Sequence, residues 1–389
     1  MQLVVDTKSF ADAVSWVAKT LDTKDDKSYI ALVVNADGDG YLSHTNGLSY
    51  IESPLQIDKI ELEDDETEVK LALGAQYTKR LASTLRDHSA PLTFSKDLNN
   101  PRTSLTVKRP QENYTIPLVE ARIGAAPKYE VIGSVSDGEY FDTLNRLAKL
   151  TDPANAGVLP VIGTVDVRLD PDEKTITVMA TDRYALGEIV IPFVPSTAAE
   201  FFGENKNLLI PEERASMIAP SKGSVDNIEL IFEGKSSKFG YTFPDGRIAL
   251  FALSTAEPLA YGVIKKSASG TEGKALISIT ELRNAIASIS SLVYDETNIQ
   301  LTITSKGLII SDIHETNTLR VTLADTTEIE EPIVVRFSRS ILNEALGPIS
   351  TNRFNLKWKD EKSAFILEPV FDDDTVADNV FLLAIPERA

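Results

Sequence analysis

Apolar residues along this chain alternate in short runs and then switch to a helical spacing, and the switch recurs six times. The segments are VVDTKSFADAVSWVAKTL, KLALGAQYTKRLASTL, SVSDGEYFDTLNRLAKL, LLIPEERASMIAP, ISITELRNAIASIS and VRFSRSILNEALGPI. Their strand ends, Val5, Leu73, Val135, Ile210, Ile279 and Phe337, lie 68, 62, 75, 69 and 58 residues apart. Period-two alternation reads as strand, and apolar positions three and four apart read as helix. The pattern therefore predicts helices over 6–20, 75–87, 137–150, 212–222, 280–290 and 338–348. A repeat of this size is one structural unit copied around an axis or along a line.

The stretches between helices read as meanders. ALVVNADGDGYLSHTNGLSYIESPLQI alternates on both sides of a turn at Asp37-Gly38-Asp39-Gly40. The scheme recurs with turns at Asp170-Pro171-Asp172 and near Lys306-Gly307. Small, polar, Lys-bearing stretches at AAPKYE (125–130) and KKSASGTEGK (265–274) read as linkers. Two units per domain give three similar domains, 1–127, 128–267 and 268–389. Each is two helices packed on antiparallel sheet, an α+β arrangement.

Composition narrows the setting. The 389 residues contain no cysteine, which excludes disulfides and thiolate metal sites and fits a reducing cytoplasm. No run approaches the length of a membrane span, and MQLVVDTKSF lacks the basic and apolar parts of a secretion signal. The net charge of -19 argues against nucleic acid until its distribution is considered. The six predicted helices together carry +1, leaving -20 for the rest. Many helix acids (Asp6, Asp137, Glu212, Glu213, Glu281) lie in the first turn, where they complement the helix dipole. Beyond that turn stand Lys19, Lys79, Arg80, Arg86, Arg146, Lys149, Arg214 and Arg283. Six helices facing one space would make it basic inside an acidic body. The acidic runs at 61–68 and 371–374 read as solvated loops.

Catalytic signatures do not emerge. His44, His88 and His314 fall in separate segments, without a partner at metal-ligand spacing on a helix. Phosphate-cradling and dinucleotide glycine motifs are absent from the sequence, as is a G-x-S-x-G elbow. Asp37-Gly-Asp-Gly40 lacks the later ligands of a calcium loop and reads as a hairpin turn. These readings point to a binding protein with no cofactor and no metal, not to an enzyme.

Thr177-Val-Met-Ala-Thr-Asp-Arg-Tyr-Ala-Leu186 resembles the ATD-x-x-x-L segment in the second domain of the bacterial sliding clamp, the DNA polymerase III beta subunit family. Other segments follow in the family's order. Leu159-Pro-Val-Ile-Gly-Thr164 is similar to its Pro-apolar-Leu-Thr-Gly strand, and Leu209-Ile-Pro211 to its VPRK-type segment. Phe239-Gly-Tyr241 through Pro258 resembles the following strand pair and turn. The ending Phe381-Leu-Leu-Ala-Ile-Pro-Glu-Arg-Ala389 resembles V-M-P-[MV]-R-[LV], and Tyr41 to Tyr50 resembles LSLTGTDLE. The likeness spans the chain.

The resemblance implies a DNA clamp fold and a head-to-tail homodimer closed as a ring around duplex DNA. It implies a processivity factor that tethers a replicative DNA polymerase, serves a clamp loader and works in the cytoplasm at the replication fork. Subunit contacts are expected near Tyr114 and Ile116 in the first domain and near Leu292 and Val293 in the third. DNA contacts are expected from Lys24, Lys27, Lys79, Arg80, Arg86, Arg146, Lys149, Arg214 and Arg283. A partner-peptide groove between the second and third domains is expected to contain Ile162, Thr181, Arg183, Tyr184, Leu186, Pro258, Val263, Ile385, Pro386 and Arg388. The pattern also departs from the family. Arg183-Tyr184-Ala185 stands where many relatives have Gly-His-Arg, Gly262 replaces a groove arginine, and Glu387 replaces an apolar residue. Glu387 implies a peptide with a basic group. The competing reading is a clamp-like scaffold or decoy that binds polymerase peptides without encircling DNA. An enzyme with a site between domains is a third.

Overall fold

Helices begin where the sequence switches period. The computed structural model describes residues 1–21, 27–62, 66–86, 88–96, 104–198, 207–218, 227–234, 237–268, 270–293, 298–323, 325–327 and 329–387. Seven α-helices occur among them. They are α1 (Thr7–Val17), α2 (Ala75–Leu85), α3 (Asp137–Ala148), α4 (Glu212–Ala215), α5 (Tyr261–Ser267), α6 (Ile279–Leu292) and α7 (Arg339–Leu346). Helix α1 starts at Asp6, whose carboxylate accepts from the Ser9 amide at 2.7 Å; Ser278 caps α6 through the Glu281 amide at 3.3 Å. Each cap satisfies one of the amide donors that a helix start leaves unpaired.

Two expectations change. The helix predicted over 212–222 is the single turn α4 followed by bends through Ile218, and 219–222 lie outside the described residues. The stretch 265–274 is not wholly a linker either. Lys265 and Lys266 belong to α5, and Gly273 opens a strand, Gly273–Ser278. Tyr261, Ile264 and Ala268, at i, i+3 and i+7, are the apolar stripe that Gly262 and the lysines obscured.

Contacts divide the chain into two compact units: Met1–Val135 with Ser196–Ala198 and Asp226–Leu253, and Ser136–Pro195 with Ala199–Val225 and Ser254–Ala389. In the first unit, one antiparallel sheet runs in the order 57–61, 2–5, 92–96, 104–109, 112–117. A second runs 130–136, 227–233, 238–242, 248–252, 49–54, 40–45, 29–35, 68–74. Helices α1 and α2 pack side by side. Phe10 of α1 meets Phe94 at 5.3 Å between ring centroids, and both are fully buried. Gly38, at φ 104°, makes the expected turn between the strands Tyr29–Asn35 and Gly40–Thr45. In the neighbouring pair, a Cβ on Gly240 would lie 1.8 Å from the Ala249 carbonyl oxygen, so only glycine fits there.

In the second unit, a long antiparallel sheet runs 207–211, 164–170, 175–181, 185–192, 380–384, 365–370, 353–358, 273–278, 325–326. A smaller one runs 318–321, 307–311, 298–304, 333–338. Helix α3 lies on the strands 175–181 and 185–192, and α7 on 185–192 and 380–384. The C-terminal strand thus pairs with one nearly two hundred residues earlier, Leu186 opposite Leu383. No helix among the described residues is long and apolar enough to cross a membrane.

Candidate functional site

The segment around Thr181 builds a rigid turn. Strand Thr175–Thr181 ends there, and the Thr181 hydroxyl donates to the Ala185 carbonyl at 2.6 Å while accepting from the Arg183 amide at 3.0 Å. Buried Asp182 accepts from the amides of Tyr184 at 2.8 Å and Ala185 at 2.6 Å. Threonine and aspartate side chains stand in for backbone acceptors in such turns. The turn holds Arg183 and Tyr184 outward, Tyr184 at 48% exposure, and sends Leu186 inward at 2%.

The C-terminal tail is tied to this turn. The Ile385 amide donates to the Tyr184 carbonyl at 2.7 Å, and the Glu387 amide to the Arg336 carbonyl at 2.8 Å. Helix α5 covers the same floor. Met179, Leu186, Tyr261, Ala268 and Leu383 form one buried cluster, with Ile264, Leu259 and Ile385 against it. Val161, Ile162 and Leu209 form the neighbouring cluster, and Leu259 touches both. Lys265 reaches Glu188 at 2.6 Å and lies 5.3 Å from the Phe381 ring, fixing the outer side of α5.

The expected groove residues therefore fall into two sets. Thr181, Leu186, Ile162 and Pro386 are buried and make the floor and its supports. Arg183, Tyr184, Pro258 and Val263 are exposed, Val263 at 68%, and Ile385 lies between. Arg388 lies outside the described residues. Beside the tail is a cavity of about 600 Å³ whose walls include Val334, Arg336, Lys362, Pro386 and Glu387. The Glu387 carboxylate accepts a hydrogen bond from the Asn298 amide group.

Acids gather at the turn as well. Arg183 approaches Asp152 at 3.6 Å. Glu344 of α7 faces Asp182 and Asp152; burial first, then these two carboxylates, push its own carboxyl above the usual range. Asp152, Glu344, Leu259 and Tyr261 are members of this region that sequence reasoning missed. The i, i+3, i+7 spacing around Tyr261 was the available signal; nothing local marks the acids, which come from three separate segments. Under α5, Asp166 is fully buried. Its Oδ2 accepts from Asn207 at 2.9 Å, and its Oδ1 has no partner among the described residues. Burial raises its carboxyl to about 6, despite the opposing effect of Arg168. The Tyr261 hydroxyl is also buried without a partner among the described residues.

The expected DNA cations separate by unit. In the first, Lys79 of α2 and Arg86 just past its end line a cleft of about 370 Å³ against α1, together with Lys19, Ala11, Ala18 and Ala82. Among the described residues no carboxylate lines it. Arg80 is exposed on α2 and Lys27 follows α1; Lys24 lies outside the described residues. In the second unit most arginines are engaged. Arg146 pairs with Asp142 at 3.0 Å and donates to the Pro348 carbonyl at 3.0 Å, and Arg283 donates to the Leu346 carbonyl at 2.8 Å. Arg283 thus bonds the last carbonyl of α7, which also accepts from the Ile349 amide at 3.2 Å, and Arg146 bonds the chain just beyond that end, where the helix dipole attracts cations. Arg214 meets Glu213 at 3.2 Å. Lys149, at the end of α3, is exposed.

At the expected subunit contacts, Tyr114 and Ile116 lie on Glu112–Pro117, an outermost strand of its sheet. Ile116 points into the core and Tyr114 is half-exposed, its hydroxyl donating to Glu112 at 2.7 Å. Leu292 ends α6 at 60% exposure, with Val293 following.

No protein-family model matches the sequence, and no curated protein does. The fold, however, matches solved structures with all of both chains covered. A DNA polymerase sliding clamp from Pseudomonas aeruginosa is similar at TM-score 0.82 and 14% identity. The Helicobacter pylori beta clamp bound to a DNA ligase peptide is similar at 0.78 and 15%, and a putative DNA polymerase III beta subunit from Eubacterium rectale at 0.79 and 16%. The chain has the DNA clamp fold. Its form within that class is the one seen in the bacterial DNA polymerase III beta sliding clamps.

Proposed function

We propose that this chain is a non-enzymatic sliding clamp: a homodimer that closes around duplex DNA and tethers a replicative polymerase and other partners by short peptides, after placement by a clamp loader. The observation that carries the reading is the completeness of the fold match, end to end in both chains. The basic cleft of Lys19, Lys79 and Arg86 supports it, because phosphate contacts of this kind are independent of sequence and suit sliding. Acidic surface elsewhere leaves such a cleft as the attractive place for DNA.

Partner peptides dock on the surface formed by Arg183, Tyr184, Pro258 and Val263, with the tail Ile385–Glu387 as its edge. That surface is apolar with a few charged groups, as peptide sites are. A region holding Asp152, Asp182, Glu344 and Glu387 suits a peptide with a basic group. The Helicobacter pylori clamp is bound to a DNA ligase peptide, and a peptide of that general kind is the partner class expected here.

The capping roles of Arg146 and Arg283 favour a second reading, a clamp-like scaffold that takes peptides without DNA. Retention on plasmid DNA separates the two. Loaded protein is expected to stay on a nicked circle and to run off once the plasmid is linearised. Equal retention on both forms, or none on either, contradicts encirclement.

A further inference from the structure

A cavity of about 710 Å³ in the first unit lies on the other side of α1 from the α1–α2 cleft and shares Ser15 and Lys19 with it. Its wall carries an unusual stack. Lys19 Nζ lies 4.5 Å from the Trp16 ring centroid, and the Arg247 guanidinium carbon lies 4.4 Å from the same ring. Arg247 also lies 5.0 Å from Phe243, which meets Trp16 edge-on at 5.1 Å. Trp16 is 5% exposed, and its indole N–H donates to the Ile248 carbonyl at 3.4 Å. The aromatic pair is thus a fixed platform holding two cations at one ring.

Cation–π attraction offsets part of the cost of that arrangement, but not the repulsion between the cations. Arg247 spends Nε on Asp245, at 2.7 Å, which leaves its terminal nitrogens without a protein partner among the described residues. Lys19 has no ion pair there. Burial first, and the Arg247 charge second, hold its ammonium below the usual lysine range. Ser53 is buried in the same wall, and Asp12 is the one lining carboxylate not bonded to Arg247. In a chain of net charge -19, two cations that converge on one ring, with no carboxylate of the described residues paired to Lys19 or to the terminal nitrogens of Arg247, form a place where an anion removes an unfavourable interaction.

We propose that Lys19 and Arg247, held on Trp16, form a phosphate-binding site that takes a phosphodiester of DNA, extending the basic α1–α2 cleft by one contact; this rests on the DNA-binding part of the proposed function. The shared residue Lys19 makes the two clefts continuous, so a backbone held by Lys79 and Arg86 has its next anchor at Arg247. None of the expected DNA cations lies on the turn that carries Arg247.

Two measurements test it on the full chain. The first is the salt dependence of binding to a short labelled duplex. Each neutralised phosphate contributes about 0.9 to the slope of log K against log salt. Lys19→Gln and Arg247→Gln are each expected to lower the slope by about that amount. Arg247→Lys keeps the slope and serves as the folding control, and Asp12→Asn tightens binding. The second is titration with inorganic phosphate, read from the indole N–H resonances of the two tryptophans. Trp16 is expected to shift, Trp358 to stay, and Arg247→Gln to abolish the shift. A wild-type slope in Lys19→Gln and Arg247→Gln, with Lys79→Gln and Arg86→Gln lowered, overturns the site and leaves the clamp reading standing. A Trp16 shift with phosphate but an unchanged duplex slope in Arg247→Gln means a free-phosphate site and overturns the DNA contact. Absence of duplex binding in the wild-type chain overturns this proposal together with the DNA-binding reading.

Discussion

Arg183 adopts φ 89° at the apex of the groove turn. An L-residue with a Cβ is strained there by about 1–2 kcal/mol, and glycine is not. Arg183→Gly and Arg183→Ala both remove the contact to Asp152, so their difference isolates the backbone. Arg183→Gly is expected to be more stable than Arg183→Ala by about 1 kcal/mol, read as a shift in urea midpoint at constant slope. Asp166 gives a pH signature. Its carboxyl is held up at about 6 in the fold, against 3.8 for an ordinary aspartate. Between those values the native state keeps a proton that the unfolded state has lost. The group therefore lowers stability as pH rises through that window, by about 3 kcal/mol in all, and adds no further slope above it. Asp166→Asn is expected to remove that slope and to be more stable than wild type at neutral pH, as followed by denaturation across pH. The segment around Thr181 and Asp182 stood out in the sequence through its family resemblance; the turn it makes, in which both side chains bond nearby backbone, is seen only in the fold. The burial of Asp166 was not, because a lone aspartate inside Thr-Val-Asp-Val-Arg-Leu reads as the polar face of a strand.

Helix α5 shows what period reading misses. It has only seven residues, with a glycine at its second position and lysines at its end. Its stripe is set by what it covers, the Met179, Leu186 and Leu383 cluster. Side chains that support the groove and side chains that meet a partner should respond differently. Leu186→Ala is expected to cost about 2–5 kcal/mol through the cavity it leaves. Val263→Ala, at 68% exposure, should change stability by no more than about 0.5 kcal/mol while weakening partner-peptide binding. Thermal denaturation and calorimetric titration with a peptide check the pair. The helix ends divide the cations in the same way. Arg283→Met removes the side-chain bond to the Leu346 carbonyl, which keeps the Ile349 amide at 3.2 Å, and is expected to destabilise by about 1 kcal/mol without changing the salt slope for DNA. Lys79→Gln is expected to do the reverse. Sequence reading placed these residues beyond the first turns of their several helices and assigned them one role. Only the position of α7, far along the chain, assigns Arg146 and Arg283 to its end.

For the whole molecule, the repeated strand-to-helix units were visible because each helix must bury one stripe and each strand one face. The joining of sequence-distant strands was not visible. Phe251 pairs opposite Ser49 in one unit and Leu186 opposite Leu383 in the other, and nothing in either strand names its partner. Fold and family likeness were therefore readable from the order of motifs, whereas the makeup of the groove and the split roles of the arginines depended on those distant pairings. The clamp account makes one claim at this scale: two copies close into a ring with a hole lined by helices. Solution mass with a small-angle scattering envelope tests it most directly. The expected result is about 85 kDa, twice the 42.5 kDa chain, with a central hole wide enough for a DNA duplex. A monomer at replication-relevant concentrations, or a dimer with no hole, contradicts it.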